Sequence, residues 1–175
     1  MTNETPEPDA ARGARGLPSH IARAAGSGAL ESRMVDVSEK PVTRREATAM
    51  AHVRFPRGVL AGLLADGGPK GPITEVSRTA GVMAAKRTAD WIPLCHPLGL
   101  DAVEVEFEQK ADDLLEIRCR AACTGRTGVE MEAMVGVAAA ALTVYDMTKG
   151  IDHGIAIEGL RLVHKRGGRS GEWRA

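Results

Sequence analysis

Two residues with complementary chemistry, Asp146 and Lys149, lie three positions apart near the end of a helix predicted within 124–150. Side chains at this spacing are neighbours on a helix surface. A carboxylate and an ammonium placed together can exchange protons with a bound molecule as an acid/base pair. The same pair is also typical of an ordinary surface ion pair at a helix end, and the spacing alone leaves both interpretations open.

Cationic side chains gather around the glycine-rich and proline-rich segments of the chain. Lysine and arginine presented in this way suit a polyphosphate ligand, because both side chains bind phosphate oxygens. For any one of them, the alternative is ordinary solvated charge. The residues concerned are Lys70, Lys86, Arg87, Lys149, Lys165, Arg166 and Arg169.

A histidine follows a cysteine in a short segment bounded by prolines, Pro93 and Pro97. The prolines restrict the backbone, so we expect an irregular, rigid loop here. His96 can then serve as a general acid/base or contact a substrate, or it can be a structural group that binds backbone carbonyls. Zinc is disfavoured, because the cysteines and histidines lack the spacing of a zinc site. Glycine-rich nucleotide motifs and the GxSxG nucleophile motif are absent from the sequence.

Composition limits the possible partners. The chain has 175 residues with 23 basic and 23 acidic side chains, so no overall positive field favours nucleic acid or an anionic membrane. Its 43% hydrophobic and 3% aromatic content indicates an aliphatic core. The three cysteines lack a disulfide pattern, and no signal peptide or membrane span is evident. These features predict a cytoplasmic protein.

The helix that carries Asp146 is predicted to begin with a capping box, in which Thr127 caps and Glu130 returns to it, and to end at Gly150. Between Glu132 and Asp146, one helix face carries small residues: Gly136, Ala139 and Thr143. Small residues let another backbone or a ligand come close. They therefore indicate packing on a sheet, the floor of a site, or a subunit contact.

The remaining patterns predict one α+β domain. Strands are expected at 46–55, 100–109, 115–121 and 155–164, the last with a bulge at Gly159, and helices at 57–65 and 72–89. This βαββαβ order is that of ferredoxin-like folds, an antiparallel sheet with helices on one face. The other face needs a cover, and a homo-oligomer is expected to provide it. Residues 1–29 are predicted as a disordered tail, 30–171 as a single domain that holds the candidate acid/base pair, and 166–175 as a flexible basic tail.

Several blocks of the sequence, in order, closely resemble the cyclic pyranopterin monophosphate synthase family, the C protein of molybdenum-cofactor biosynthesis. The resemblance covers about residues 34–171. The blocks are MVDVSEK (34–40), KGPITEVSRTAGVMAAKRTADWIPLCHPL (70–98), TGRTGVEMEA (124–133), LTVYDMTK (142–149) and KRGGRSG (165–171).

The resemblance implies a lyase that converts 3′,8-cyclo-7,8-dihydroguanosine 5′-triphosphate to cyclic pyranopterin monophosphate and releases pyrophosphate. It implies a homohexamer, a trimer of dimers, with active sites at the dimer interface. It also implies no required cofactor, no dedicated metal site, and Mg²⁺ at most as a companion of the triphosphate. Asp146 and Lys149 take the catalytic positions. The substrate-binding positions are Arg45, Lys70, Lys86, Leu94, Cys95, His96, Met131, Glu132 and Lys165.

The sequence departs from the family pattern in its basic tail, where Lys165-Arg166 and Arg169 stand in place of a lysine–serine pair and a second lysine. Positive charge is kept, so only the detailed triphosphate contacts differ. We expect Lys70, Lys86 and His96 to form the wall opposite Asp146, at least partly from a neighbouring subunit. The alternative hypothesis is a non-catalytic purine-nucleotide-binding or regulatory module, because ferredoxin-like folds serve many binding proteins.

Overall fold

The computed structural model describes residues 21–23, 27 and 29–175. The chain divides into two compact units, Met1–Asp36 and Val37–Ala175. In the first unit, strands β1 (Ile21–Arg23) and β2 (Leu30–Ser32) form an antiparallel ribbon. The disordered tail predicted for 1–29 falls mostly on residues outside those described, and its described part includes β1.

The second unit contains the predicted βαββαβ order followed by one further strand. Three helices, α1, α2 and α3, lie in the connection between β3 and β4. Its elements are β3 (Thr43–Arg54), α1 (Leu60–Asp66), α2 (Ile73–Ala85), α3 (Thr88–Trp91), β4 (Ala102–Ala111), β5 (Leu114–Gly125), α4 (Glu130–Thr148), β6 (Ala156–Arg166) and β7 (Glu172–Arg174).

The five strands of this unit form one antiparallel sheet in the order β4-β5-β3-β6-β7. The first four strands of the sheet have the ferredoxin-like arrangement, so the predicted fold class is confirmed. Helix α4 contacts both β3 and β5 at the centre of the sheet. In the described part of the chain, no helix combines the length and the apolarity needed to cross a membrane.

The core lies between α4 and the two central strands. Period-two alternation places every second residue of β3 and β5 against the helix. Burying each large aliphatic side chain stabilises the fold by about 1.5–3 kcal/mol, whereas alanines on β3 contribute less and let α4 come close to the sheet. Four directly opposed cross-strand pairs here are fully buried: Ala47 with Ala121, Ala49 with Cys119, Ala51 with Ile117, and Val53 with Leu115.

Glycines allow the backbones of α2 and α4 to approach each other. A Cβ on Gly81 would lie 3.0 Å from the carbonyl oxygen of Gly136, and a Cβ on Gly136 would lie 2.6 Å from Sγ of Cys119. Ala139 packs with Ala84 in a small satellite cluster. Gly136 and Ala139 on the small-residue face of α4 are therefore buried by packing within the chain. Of the three predicted uses of this face, the floor of a site and a subunit contact are wrong for these two residues.

Two helix boundaries differ from the predicted ones. The first helix begins at Leu60, after Gly58, because Gly58 has a left-handed φ of 78° that a helix cannot contain. The helix predicted over 72–89 is divided into α2 and α3. The backbone tightens where N–H of Arg87 donates to the Ala84 carbonyl, and the buried Thr88 hydroxyl donates to the Ala85 carbonyl.

The predicted capping box at the start of α4 does not form. Val129 is the N-cap and makes no side-chain cap hydrogen bond. The Glu130 carboxylate lies over Gly128, where any Cβ would overlap it, and forms an ion pair with Lys165. A charge-assisted contact to β6 thus replaces the local cap. At the other end Lys149 is the C-cap, so Gly150 follows the helix as predicted.

The C-terminal segment, predicted as a flexible basic tail, contains the end of β6 and strand β7. Residues 167–171 form the turn between these strands, where N–H of Gly167 donates to the Gly171 carbonyl at 3.0 Å. Strand β7 pairs Trp173 with Lys165. The predicted bulge at Gly159 is confirmed: its φ is 61°, and the β3–β6 register shifts between Met50 and His52.

The side of the sheet that faces away from α4 carries interleaved charges. Glu116 is buried and accepts hydrogen bonds from Arg118 and His52 at 2.7 and 3.2 Å. Glu46 is also buried and pairs with Arg166 at 3.0 Å. Cross-strand pairs of this kind specify register, because a slip by one residue would place these carboxylates in the apolar core.

Candidate active site

Three charged side chains meet at the C-terminal end of α4. The Asp146 carboxylate accepts a hydrogen bond from Nζ of Lys70 at 2.6 Å on Oδ2 and from Nζ of Lys149 at 2.7 Å on Oδ1. All three side chains are about half exposed, at 53%, 52% and 47% for Asp146, Lys70 and Lys149. The group is therefore both preassembled and open to a ligand.

A tight turn delivers Lys70 to this cluster. Gly68 and Gly71 exchange two backbone hydrogen bonds of 2.8 and 2.9 Å across Pro69-Lys70. Gly71 has a φ of 101°, which favours glycine, and Gly68 lies against Ile73 and the Met147 carbonyl oxygen. The turn is thus fixed against the end of α4. Asp146 and Lys149 need no such device, because helical spacing already makes them neighbours.

The two lysines set the state of the aspartate. Hydrogen bonds from Lys149 and then from Lys70 lower the pKa of Asp146 to about 2. The same contact with Asp146 raises the pKa of Lys149. At neutral pH the cluster therefore holds one carboxylate between two ammonium groups, with a net positive charge.

A second group of predicted site residues lies at the N-terminal end of α4. Lys165 on β6 contacts the Glu130 carboxylate at 3.2 Å. Arg45 on β3 donates from Nε to the Gly125 carbonyl and from Nη2 to the Arg126 carbonyl, both at 3.4 Å. These side chains project from the helix-facing side at one end of the sheet. They form a cationic rim around the start of α4.

A buried carboxylic acid lies within this second group. Glu132 is only 4% exposed, and burial raises its pKa to about 6. Burial followed by the charge of Glu132 raises the pKa of the Cys95 thiol, which places Cys95 beside the start of α4. Met131 is 37% exposed. The carboxyl groups at the two ends of α4, Glu132 and Asp146, thus differ in both pKa and solvation.

One chain holds these two groups far apart. Sixteen residues separate Glu130 from Asp146 on α4, which corresponds to about 24 Å at a rise of 1.5 Å per residue. A group that transfers protons must be within hydrogen-bond reach of its substrate. One nucleotide-sized molecule bound to a single chain would therefore contact one end of α4 and leave the other unused.

Comparison with known proteins identifies the family. The sequence model of the MoaC family matches residues 34–168. This chain belongs to the MoaC family. A relative from Novosphingobium aromaticivorans, named cyclic pyranopterin monophosphate synthase, is 51% identical over 144 residues, or 82% of this chain and 91% of the relative. Relatives of the same name from Chloroflexus aggregans and Thermomicrobium roseum are 52% and 51% identical, over 81% and 82% of this chain and 87% of each relative.

The other predicted site residues of this MoaC family member follow α2. Because Gly68, just before α2, lies against Met147 and Ala84 packs with Val135, α2 and α4 run antiparallel. The C-terminal end of α2 is therefore beside the start of α4. Lys86, the exposed C-cap of α2, and the loop with the exposed Leu94 and the half-buried His96 follow there. Lys70, Lys86 and His96 are predicted to form the wall opposite Asp146. Within one chain, the structure brings only Lys70 of these three described residues to Asp146.

Sequence reasoning missed the role of Glu130 and the packing of Arg45. The spacing from Thr127 predicts that Glu130 caps the helix, whereas the structure pairs its carboxylate with Lys165 on β6. Arg45 lies against Gly168, whose missing side chain leaves room for the guanidinium. The two adjacent glycines in KRGGRSG were the available signal, because such pairs mark turns with positive φ or close backbone approach.

Within residues 29–175 and the shorter described stretches before them, no three histidine, cysteine or acidic side chains are grouped so that they would hold a metal ion. The cationic side chains instead dominate both ends of α4.

Proposed function

We propose that this chain is a cyclic pyranopterin monophosphate synthase. Its substrate would be (8S)-3′,8-cyclo-7,8-dihydroguanosine 5′-triphosphate, and its products cyclic pyranopterin monophosphate and pyrophosphate, in an early step of molybdenum cofactor biosynthesis. The observation that carries the proposal is the Lys70–Asp146–Lys149 cluster, found in a chain about half identical to proteins of that name over four-fifths of its length.

Proton transfer is assigned to the cluster at the end of α4. The reaction opens the five-membered ring of the purine, rebuilds a pterin and closes a cyclic phosphate. An ionised Asp146 accepts protons, and Lys149 donates or stabilises negative charge. Both lysines hold the pKa of Asp146 low in the free chain. A substrate that draws either ammonium away would raise that pKa and make the carboxylate a stronger base.

Polyphosphate binding is assigned to the cationic rim at the other end of α4. Attack of a hydroxyl oxygen on the α-phosphorus forms the cyclic phosphate and breaks the bond to the β-phosphate oxygen. The leaving pyrophosphate then carries the developing negative charge. Arg45, Lys165 and Lys86 supply the positive charge that stabilises it, and His96 in the loop after α3 offers a ring nitrogen for hydrogen bonding.

The separation of the two groups supports a site shared between copies of the chain. We propose a homohexamer, a trimer of dimers, in which Asp146 and Lys149 of one chain face the rim of its neighbour across the dimer interface. Each two-fold contact would create two equivalent sites. The three free cysteines, Cys95, Cys119 and Cys123, are in keeping with a cytoplasmic location, which stays part of the proposal.

The proposed chemistry transfers protons and displaces pyrophosphate, without a change in redox state. We therefore propose that no cofactor is required, and that Mg²⁺ acts, where present, as part of the triphosphate substrate. The substrate is a small molecule, and neither nucleic acid nor a membrane takes part. Adding a chelator should therefore lower turnover only if the magnesium complex of the triphosphate is a better substrate than the free triphosphate.

The direct test is to incubate the purified full chain with the cyclo-dihydro-GTP and to quantify pyrophosphate and pterin. The proposal predicts equimolar formation of both, and loss of both with Asp146→Asn. Tight binding of the nucleotide without turnover would instead establish the non-catalytic nucleotide-binding module. Normal turnover by the Asp146→Asn variant would show that the role assigned to Asp146 is wrong.

A further inference from the structure

The turn between β6 and β7 contains three glycines with left-handed backbone. Their φ values are 100° at Gly167, 74° at Gly168 and 68° at Gly171. N–H of Gly171 donates to the Gly168 carbonyl at 3.2 Å, which closes the turn on itself. Because all three positions have a φ that other residues adopt at a cost, backbone conformation alone would favour glycine at each of them.

The space around these glycines is not alike. A Cβ on Gly168 would overlap the guanidinium of Arg45, and one on Gly167 would overlap the Arg44 carbonyl oxygen. A Cβ on Gly171 would meet nothing within 4 Å. The Arg45 guanidinium therefore occupies the volume that a side chain at residue 168 would need.

On its other side, the same guanidinium faces the end of β5. Its Nε and Nη2 atoms donate to the carbonyls of Gly125 and Arg126 at 3.4 Å each. These contacts are long, and long hydrogen bonds alone hold an arginine plane weakly. The plane is fixed because the β6–β7 turn closes it from the opposite side, and Nη1 lies against Gly168.

We infer that Gly168 is a positioning residue for polyphosphate binding, which acts by leaving room for the Arg45 guanidinium between the β6–β7 turn and the end of β5. This rests on the proposed function of the cationic rim. A guanidinium with a fixed plane binds phosphate oxygens in a bidentate manner and loses little rotamer freedom in doing so. A methyl group at residue 168 would overlap the guanidinium and force it out of this slot.

The test compares Gly168→Ala with Gly171→Ala in the purified full-length protein, with pyrophosphate as the probe. Both variants place alanine at nearly the same φ in one turn, so the backbone cost is matched, and they differ only in the contact with Arg45. We expect Gly168→Ala to raise the dissociation constant of pyrophosphate, measured by direct binding, by about tenfold, which corresponds to the loss of one hydrogen bond to a charged group. Gly171→Ala should change it by less than about twofold.

The pairing with Arg45 is tested in a second background. In Arg45→Ala protein, the added Gly168→Ala should change the pyrophosphate constant by less than about twofold, because no guanidinium is left to displace. If Gly168→Ala alone does not fold, the Arg45→Ala, Gly168→Ala double variant should fold, since the overlap is removed. The inference would be overturned by any of three results. Gly168→Ala and Gly171→Ala could change the pyrophosphate constant equally, or Gly168→Ala could have the same effect in the Arg45→Ala background as in wild type. The third is a double variant that still does not fold.

Failure of the proposed function would look different. If wild-type protein bound pyrophosphate with the expected Gly168 and Arg45 coupling but did not convert the cyclo-dihydro-GTP, the synthase assignment would fall and the positioning role would stand. If wild-type protein turned over the substrate while the coupling between Gly168 and Arg45 was absent, the synthase assignment would stand and the positioning role of Gly168 would fall. With an active wild type, Gly168→Ala should raise the KM for substrate more than it lowers kcat.

Discussion

The two ends of α4 hold carboxyl groups in opposite surroundings. At the C-terminal end, Asp146 is exposed between two ammonium groups, and its pKa is lowered to about 2. At the N-terminal end, Glu132 is 4% exposed, and burial raises its pKa to about 6. One helix thus presents a carboxylate that is firmly ionised and a carboxyl group that titrates near neutrality.

The difference comes from what each end of the helix packs against. The end of α4 meets the Pro69-Lys70 turn, which brings a cation and leaves solvent access. The start of α4 is covered by the loop after α3 and by the sheet end, which remove water from Glu132. Environments that push two pKa values apart are the usual way in which a protein obtains distinct acid and base groups from similar side chains.

The largest effect is expected from Asp146→Asn. The amide keeps the size of the side chain but cannot accept a proton, so turnover of the cyclo-dihydro-GTP should fall by about a hundredfold to ten-thousandfold. Thermal unfolding should change little, because the side chain is exposed. Asp112→Asn, an exposed aspartate in the β4–β5 turn, serves as the matched control and should keep full activity. An equal loss in both variants would contradict the assignment.

Removing each lysine separates the two partners of Asp146. Lys149→Ala should reduce turnover by about a hundredfold, because it removes a proton-transfer group. Lys70→Ala should cost about tenfold, as expected for one charge-assisted hydrogen bond. Both changes should raise the pKa of Asp146, with the larger rise for Lys149→Ala, as followed by NMR titration of the carboxyl carbon. A larger rise in Lys70→Ala protein would reverse this ranking of the two contacts.

At the other end, Glu132→Gln should change the pH dependence of stability. The folded-state pKa is about 6 against an ordinary value of 4.5, so folding favours the protonated form. This group's stabilisation is full below pH 4.5 and is lost as the pH rises to about 6, a change of about 2 kcal/mol for 1.5 pKa units. Urea unfolding at pH 4.5 and 7 should show that Glu132→Gln removes this loss. The exposed Glu75→Gln variant is the control and should lose stability between pH 4.5 and 7 as the wild type does. If Glu132→Gln lost as much stability over this range as the wild type, burial of Glu132 would not be the cause.

Sequence patterns predicted what depends on local spacing. The alternation in β3 located the buried alanines, and the i, i+3 spacing paired Asp146 with Lys149, because both follow from backbone geometry. The order of elements led to the ferredoxin-like sheet. Ordered motif blocks led to the family, which the match over residues 34–168 shows.

Contacts between distant residues were not predictable in the same way. Lys70 is expected near Asp146 from the sequence as a whole, but the two residues are 76 positions apart, and no local pattern indicates that they form a 2.6 Å contact within one chain. Glu130 fitted a capping box, but an ion pair with Lys165 on β6 replaced it. The C-terminal segment is predicted to be a flexible basic tail, yet β6 supplies the backbone partners that make Glu172–Arg174 a strand.

The most direct test asks whether the two ends of α4 act in one site contributed by two chains. Asp146→Asn and Lys165→Ala variants, each with a different affinity tag, are mixed as unfolded chains in equal amounts, refolded together and assayed with the cyclo-dihydro-GTP. If each site combines one end from each partner, random pairing of the two variants, each of which lacks one end of the site, regenerates about a quarter of the sites in intact form. Activity near a quarter of wild type is the predicted result. Activity no higher than the mean of the two separate variants would contradict a shared site.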